Sequence, residues 1–123
     1  MFKGEYPPNW KAISRECRRA AGDRCIRCNH VNDIPSGHVL TTHHFNGDKS
    51  NQAWWNLLAL CQRCHLSFQA RVNPEQPYMF EHSAWLKPYV AGFYAWKYEG
   101  KNLTREEVNT RLDELLAYEL RTA

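Results

Sequence analysis

Residues 40–65 read LTTHHFNGDKSNQAWWNLLALCQRCH. The segment 38–44 (HVLTTHH), rich in β-branched residues and bounded by Gly37 and the Asn46-Gly47-Asp48 turn, predicts a strand. A polar loop over 45–55 ends in Trp54-Trp55, and the apolar run Leu57 to Leu60 predicts a second strand. From Gln62 to about Val72 the spacing predicts a helix carrying Leu66, Phe68 and Ala70, ended by Asn73-Pro74. Two short strands followed by a helix define a small α+β core.

Four of the five cysteines form two pairs, Cys25-Ile-Arg-Cys28 and Cys61-Gln-Arg-Cys64. Two thiolates on one tight turn reach a single ion, and a second such turn completes a tetrahedral zinc site. Redox chemistry is the competing reading of one such pair, and two pairs disfavour it. An odd total without an export signal also argues against a disulfide framework. Cys17 is left over and reads as a small buried hydrophobe beside Trp10 and Ile13.

Outward from this core, Asn9 reads as an N-cap for a helix from Trp10 to about Ala21, stopped by Gly22. Residues 29–37 (NHVNDIPSG) read as a loop. After a Pro74 to Pro77 connector, the aromatic-heavy stretch 83–99 predicts helix, with Ser83 capping a first turn, Pro88 near a helix start and Gly100 as the stop. Trp85, Tyr89, Phe93, Tyr94 and Trp96 are the expected core of this part, and Trp54 and Trp55 are expected to cover core rather than to stack on bases. Thr104-Arg105-Glu106-Glu107 is a capping box with Leu103 and Val108 as staple, and Val108, Leu112, Leu115, Leu116 and Leu120 continue one apolar stripe. At 123 residues, a single domain over 1–123 is the expectation.

Composition narrows the class. With 43% hydrophobic and 13% aromatic residues the chain is not a disordered one. It has no apolar run long enough to span a bilayer and no signal-peptide segment, so a cytoplasmic protein without a membrane partner is expected. Residues 1–71 hold 10 Lys/Arg against 5 Asp/Glu, whereas 72–123 hold 6 against 8. The basic excess lies with the cysteines and histidines and favours a polyanionic partner there. The acidic C-terminal helices suit structural support or a protein contact.

Histidines populate the segment between the two cysteine pairs. His43 and His44 are adjacent at the end of the first strand, Asn56 precedes the second, and His65 follows Cys64 at the start of the helix. Neighbours on a strand point to opposite faces, but a twist at the strand end can bring both to one site with different jobs, one holding a metal and the other meeting a water. His30 and His38 are weaker candidates, as extra zinc ligands or polar loop residues.

This constellation resembles the HNH endonucleases, the ββα-metal nucleases, in their four-cysteine zinc-containing form. The likeness covers about residues 25–72, with residues 75–123 as a helical extension, and the three letters of the family name fall on His44, Asn56 and His65. It implies a ββα-metal core stapled by structural zinc on Cys25, Cys28, Cys61 and Cys64, flanked by an N-terminal helix and C-terminal helices. It also implies His44 as general base, His43 and His65 as ligands of a catalytic divalent metal, and Asn56 as the residue steadying the loop. In some relatives a third metal histidine stands four residues after the one matching His65, and here that position is Gln69. Magnesium or manganese suits such a site, with nickel or zinc as alternatives. The implied activity is cleavage of DNA, expected double-stranded, to 5′-phosphate and 3′-hydroxyl ends. Lys49, Arg24, Arg27, Arg63 and Arg71 are the expected backbone contacts. Small nucleases of this family occur in phage packaging machines. The alternative is a catalytically silent, zinc-stabilised nucleic-acid-binding or adaptor module.

Overall fold

The β-branched pair Thr41 and Thr42 lies in the middle of an extended run, and the chain forms β1 (Leu40–His44) there, paired antiparallel with β2 (Leu57–Cys61). The register sets Thr41 opposite Leu60 and His43 opposite Leu58. β1 begins two residues later than the sequence suggests because His38 pairs instead with Asp33 in an isolated bridge. A computed structural model describes residues 4–71 and 83–119, with the side chains of residues 69–71 outside that description. The Asn73-Pro74 stop, the connector that follows it and Leu120 also lie outside it.

The described residues gather into two compact units, 4–52 with 56–71 and 53–55 with 83–119. The first unit has the expected order, with α1 (Trp10–Ala20), β1, β2 and α2 (Gln62–Arg71). α1 is stopped at Gly22, whose φ of 71° is cheap only for glycine. Asn9 precedes it but makes no side-chain cap. The hydroxyl of Ser14 on α1 lies 2.8 Å from that of Thr42 on β1, and the Cys17 thiol points at Leu57 O, so α1 runs against the ribbon. Leu40, Leu58, Ala59, Leu60, Phe45 and Phe68 are buried in this unit.

The second unit is built on α3 (Lys87–Glu99), α4 (Arg105–Thr110) and α5 (Leu112–Leu116). Ala91, Ala95, Val108 and Leu115 form its core, flanked by Trp54, Leu103, Leu112 and Leu116. α3 is buried along one continuous run, Tyr89–Ala95, as a helix at the centre of a core must be. Pro88 sits in its first turn and Gly100 ends it in the left-handed region. Gly92 faces Trp55, where a Cβ would come within 2.7 Å of the Trp55 Cβ. Trp55 is fully buried, and its indole N–H donates to Asn102 while that of Trp54 donates to Leu103 O. Both tryptophans therefore serve the core as expected. Trp96 does so only in part, being 41% exposed.

The capping box at Thr104 and Glu107 forms in both directions. The segment carrying the apolar stripe is not one continuous helix but is broken at Arg111, whose φ of −121° leaves the helical region. Arg111 gives two hydrogen bonds to the Glu99 carboxylate at 2.9 and 2.7 Å and a third to Glu114. A tertiary ion pair thus sits at the junction of the two helices. Among the described residues no helix is long and apolar enough to cross a membrane.

Candidate metal and phosphodiester site

Strand alternation distributes the polar residues of β1. Thr41 and His43 share one face, and Thr42 and His44 share the other. α2 starts directly after β2, so His65 in its first turn comes over the Thr41/His43 face. There His43 Nδ1 lies 3.1 Å from His65 Nε2, with ring centroids 4.6 Å apart. Two nitrogens each about 2.0–2.1 Å from a common ion, at tetrahedral to octahedral angles, stand about 2.9–3.4 Å apart. The observed separation fits one cation with both imidazoles as neighbouring ligands.

Protonation follows from the hydrogen bonds. The Thr41 hydroxyl lies 2.7 Å from Leu60 O, which can only accept, so its single proton goes there. It must then accept from His65 Nδ1, 3.0 Å away, and the lone pair of His65 resides on Nε2, facing His43. Burial, followed by the charges of His65 and His44, pushes His43 down to about 3. Burial also lowers His65. Both imidazoles are therefore neutral near neutrality, the state a metal ligand requires.

On the opposite face, His44 Nε2 lies 3.1 Å from Gln52 Oε1. The Gln52 amide nitrogen donates to Lys49 O, so Oε1 faces His44 and accepts its Nε2–H. The free lone pair of His44 is thereby assigned to Nδ1. Burial lowers the His44 pKa against the opposing Gln52 hydrogen bond. Trp10 and Tyr6 stand beside the ring, with centroids 4.8 and 5.9 Å from it.

Asn56 is fully buried and ties down the loop after β1. Its Oδ1 accepts from Asn46 N and its Nδ2 donates to Asn51 O, both at 2.8 Å, while Phe45 N donates to Asn56 O. The loop next to His44 is held at both ends by one amide.

The thiols of Cys25, Cys28, Cys61 and Cys64 all lie within 4.8 Å of one another, and among the described residues no histidine joins them. Cys28 and Cys61 sulfurs are 3.8 Å apart, far from a disulfide and equal to the about 3.8 Å edge of a tetrahedron with 2.3 Å Zn–S bonds. In each knuckle the backbone N–H of the second cysteine points at the first sulfur. Ile26 N donates to Ala59 O, fastening the first knuckle to β2. Burial pushes the Cys64 thiol up to about 12, against the Arg27 guanidinium that lies 3.6 Å from its sulfur. Four clustered thiolates need a cation to offset their charge, and the donor set supports structural zinc.

The basic residues are dispersed. Arg27 is engaged with the thiol cluster, Arg24 donates to Asn29 O and Arg63 to Ser36 O, both latter side chains being exposed. Lys49 lies with its ammonium 5.0 Å over the Tyr6 ring. The side chains of Gln69 and Arg71 lie outside the described residues. His30 and His38 stack on each other with centroids 3.6 Å apart, separate from the four thiols.

Four contributors escape the sequence reading: Thr41, Gln52, Tyr6 and Trp10. Thr41 had a usable signal, since it lies two residues before His43 and so on the same strand face. Gln52 had none, because it meets His44 only through the closure of a loop.

No family model matches the chain, and no solved structure matches it. The chain is 42% identical over 60 residues to the Zorya protein ZorE of Escherichia coli. That stretch is 49% of this chain and 16% of ZorE, so the chain spans about a sixth of that protein. The partial likeness and the four-cysteine cluster together fit a zinc-containing HNH-like module.

Proposed function

We propose that the chain is a metal-dependent HNH endonuclease hydrolysing phosphodiester bonds of DNA. The observation that carries this reading is the pairing of His43 Nδ1 and His65 Nε2 at 3.1 Å, apart from a four-thiol cluster that uses neither. A closed four-cysteine site leaves no position for phosphate or water, whereas two imidazoles leave several. A divalent cation held by His43 and His65, magnesium or manganese or else nickel or zinc, would neutralise charge developing on the phosphate oxygens.

The chain's own residues do the rest. His44, with its Nε2–H held by Gln52, offers Nδ1 to take a proton from the attacking water. Asn56 keeps the adjacent loop in place through Asn46 and Asn51. Lys49 and the exposed Arg24 and Arg63 are suited to contact a nucleic-acid backbone, giving affinity without base choice. The C-terminal helices are then available for a protein partner.

Nicking of supercoiled plasmid with added magnesium, manganese or nickel tests the reading. Wild type converts the plasmid, and His44→Ala is slower by about 100-fold or more, the usual worth of a general base. Equal behaviour of the two proteins with DNA binding retained identifies the silent binding module instead.

A further inference from the structure

Three rings meet at the candidate base. Tyr6 stacks on Trp10 with centroids 4.9 Å apart and planes at 26°, and both rings approach His44, at 5.9 and 4.8 Å. His44 is buried and Trp10 half-buried, but Tyr6 is 52% exposed, one of the few large apolar side chains in that condition among the described residues. The Lys49 ammonium is 5.0 Å from the centre of the Tyr6 ring. Gly4, just before Tyr6, is fitted to the same loop: with a φ of 75°, a Cβ there would strike the Asp48 carboxylate and approach Ser50. An exposed aromatic ring is thus placed, together with a cation, at the edge of the site. Tyr6 packs on Trp10 and still leaves about half its surface in water.

We propose that Tyr6, backed by Trp10 and accompanied by Lys49, is a stacking platform for an unpaired nucleobase next to the scissile phosphate. Single-stranded or locally opened DNA is then the favoured substrate. The inference rests on the nuclease reading for the place of that phosphate. Base faces inside a duplex are already covered by their neighbours, so an exposed ring beside the reacting group gains contact only with a base that has left the stack. A lysine next to the ring reaches the phosphate of the same nucleotide, and it supports the ring by cation–π attraction when no nucleotide is bound. Aromatic plus cation is the recurrent composition of strand-tracking surfaces, where the contact tolerates any base.

The test is fluorescence anisotropy with a labelled oligo(dT) strand and a labelled duplex of equal length, without added magnesium, manganese or nickel. Wild type binds the strand more tightly than the duplex. Tyr6→Ala weakens strand binding about ten-fold, the loss of one stacked base, and leaves duplex binding within about two-fold. Tyr6→Phe, which keeps the ring, binds the strand like wild type. Wild type binding the strand no better than the duplex, or Tyr6→Ala lowering both equally or neither, overturns the inference. Plasmid nicking decides the nuclease reading separately, since a protein that nicks but gives any of those binding results has lost only the platform.

Discussion

Thr41→Val changes one oxygen for one methyl group and isolates the hydrogen bond on which the His43/His65 pair depends. Valine keeps the β-branched shape that suits β1. It removes the acceptor 3.0 Å from His65 Nδ1 and the donor 2.7 Å from Leu60 O. Without that acceptor nothing specifies which His65 nitrogen carries the proton, and the ring loses its anchor to β2. A neutral hydrogen bond contributes about 0.5–1.5 kcal/mol net, or about two- to ten-fold in an equilibrium constant. Partners that orient a ligating histidine are commonly worth about 10- to 100-fold in metal affinity. The two figures meet at about ten-fold, the weakening expected for manganese or nickel at the histidine pair. Calorimetric titration of protein whose cysteine site already holds zinc measures it. Thr41→Ser restores the hydroxyl and should recover most of the affinity. Unchanged affinity in the valine variant refutes the argument from Thr41. Wild type that takes up no second ion refutes the catalytic metal itself.

Two other consequences concern stability. Removing the cysteine-bound metal with a strong chelator, or substituting Cys61→Ser, should melt the unit formed by α1, β1, β2 and α2, because Cys61 ends β2 and Cys64 lies in the first turn of α2. Structural zinc supplies about 10–16 kcal/mol in small domains, comparable to the whole stability of a fold this size, and a thermal melt followed by circular dichroism that does not move disproves the dependence. In the helical unit, the Arg111 guanidinium and then the Tyr118 hydroxyl hold the Glu99 carboxyl at about 2, below its ordinary 4.5. A carboxyl depressed in the folded state stabilises above its unfolded pKa, and that contribution disappears as pH falls from 4.5 through about 2. The difference in Tm between wild type and Glu99→Gln should therefore be positive near neutrality and vanish across that window. Release of zinc in acid affects both proteins and cancels in the difference, so a difference independent of pH contradicts the assignment.

What could be read in advance was whatever depends on near neighbours along the chain. Cysteine pairs with two-residue gaps belong to single turns, so their spacing alone announced the thiol cluster, and Thr104 with Glu107 announced a helix start that forms as expected. Contacts between distant residues left no such trace. The C-terminal stripe runs through Arg111 without a flaw, yet the helix breaks there, at a residue whose guanidinium is paired with Glu99 twelve residues earlier. Asn9 has the right chemistry for a cap, and its side chain does not make it. Composition places His38 in the strand, and in the fold it pairs with Asp33 instead. The same distinction runs through the candidate site. The adjacent pair His43-His44 already implied two faces of one strand, since side chains alternate whatever the surroundings. Which nitrogen each ring leaves free depends on Thr41 and on Gln52, and Gln52 is brought to His44 only by a loop that Asn56 closes. Alternation separates the two imidazoles, and hydrogen bonding then gives each one a different free nitrogen: Nε2 of His65 toward His43 on one face, Nδ1 of His44 on the other. Adjacency on one strand keeps the two rings close enough for the charge of a protonated His44 to register at His43. That is the property a site needs if one imidazole is to hold a cation while its neighbour handles a proton.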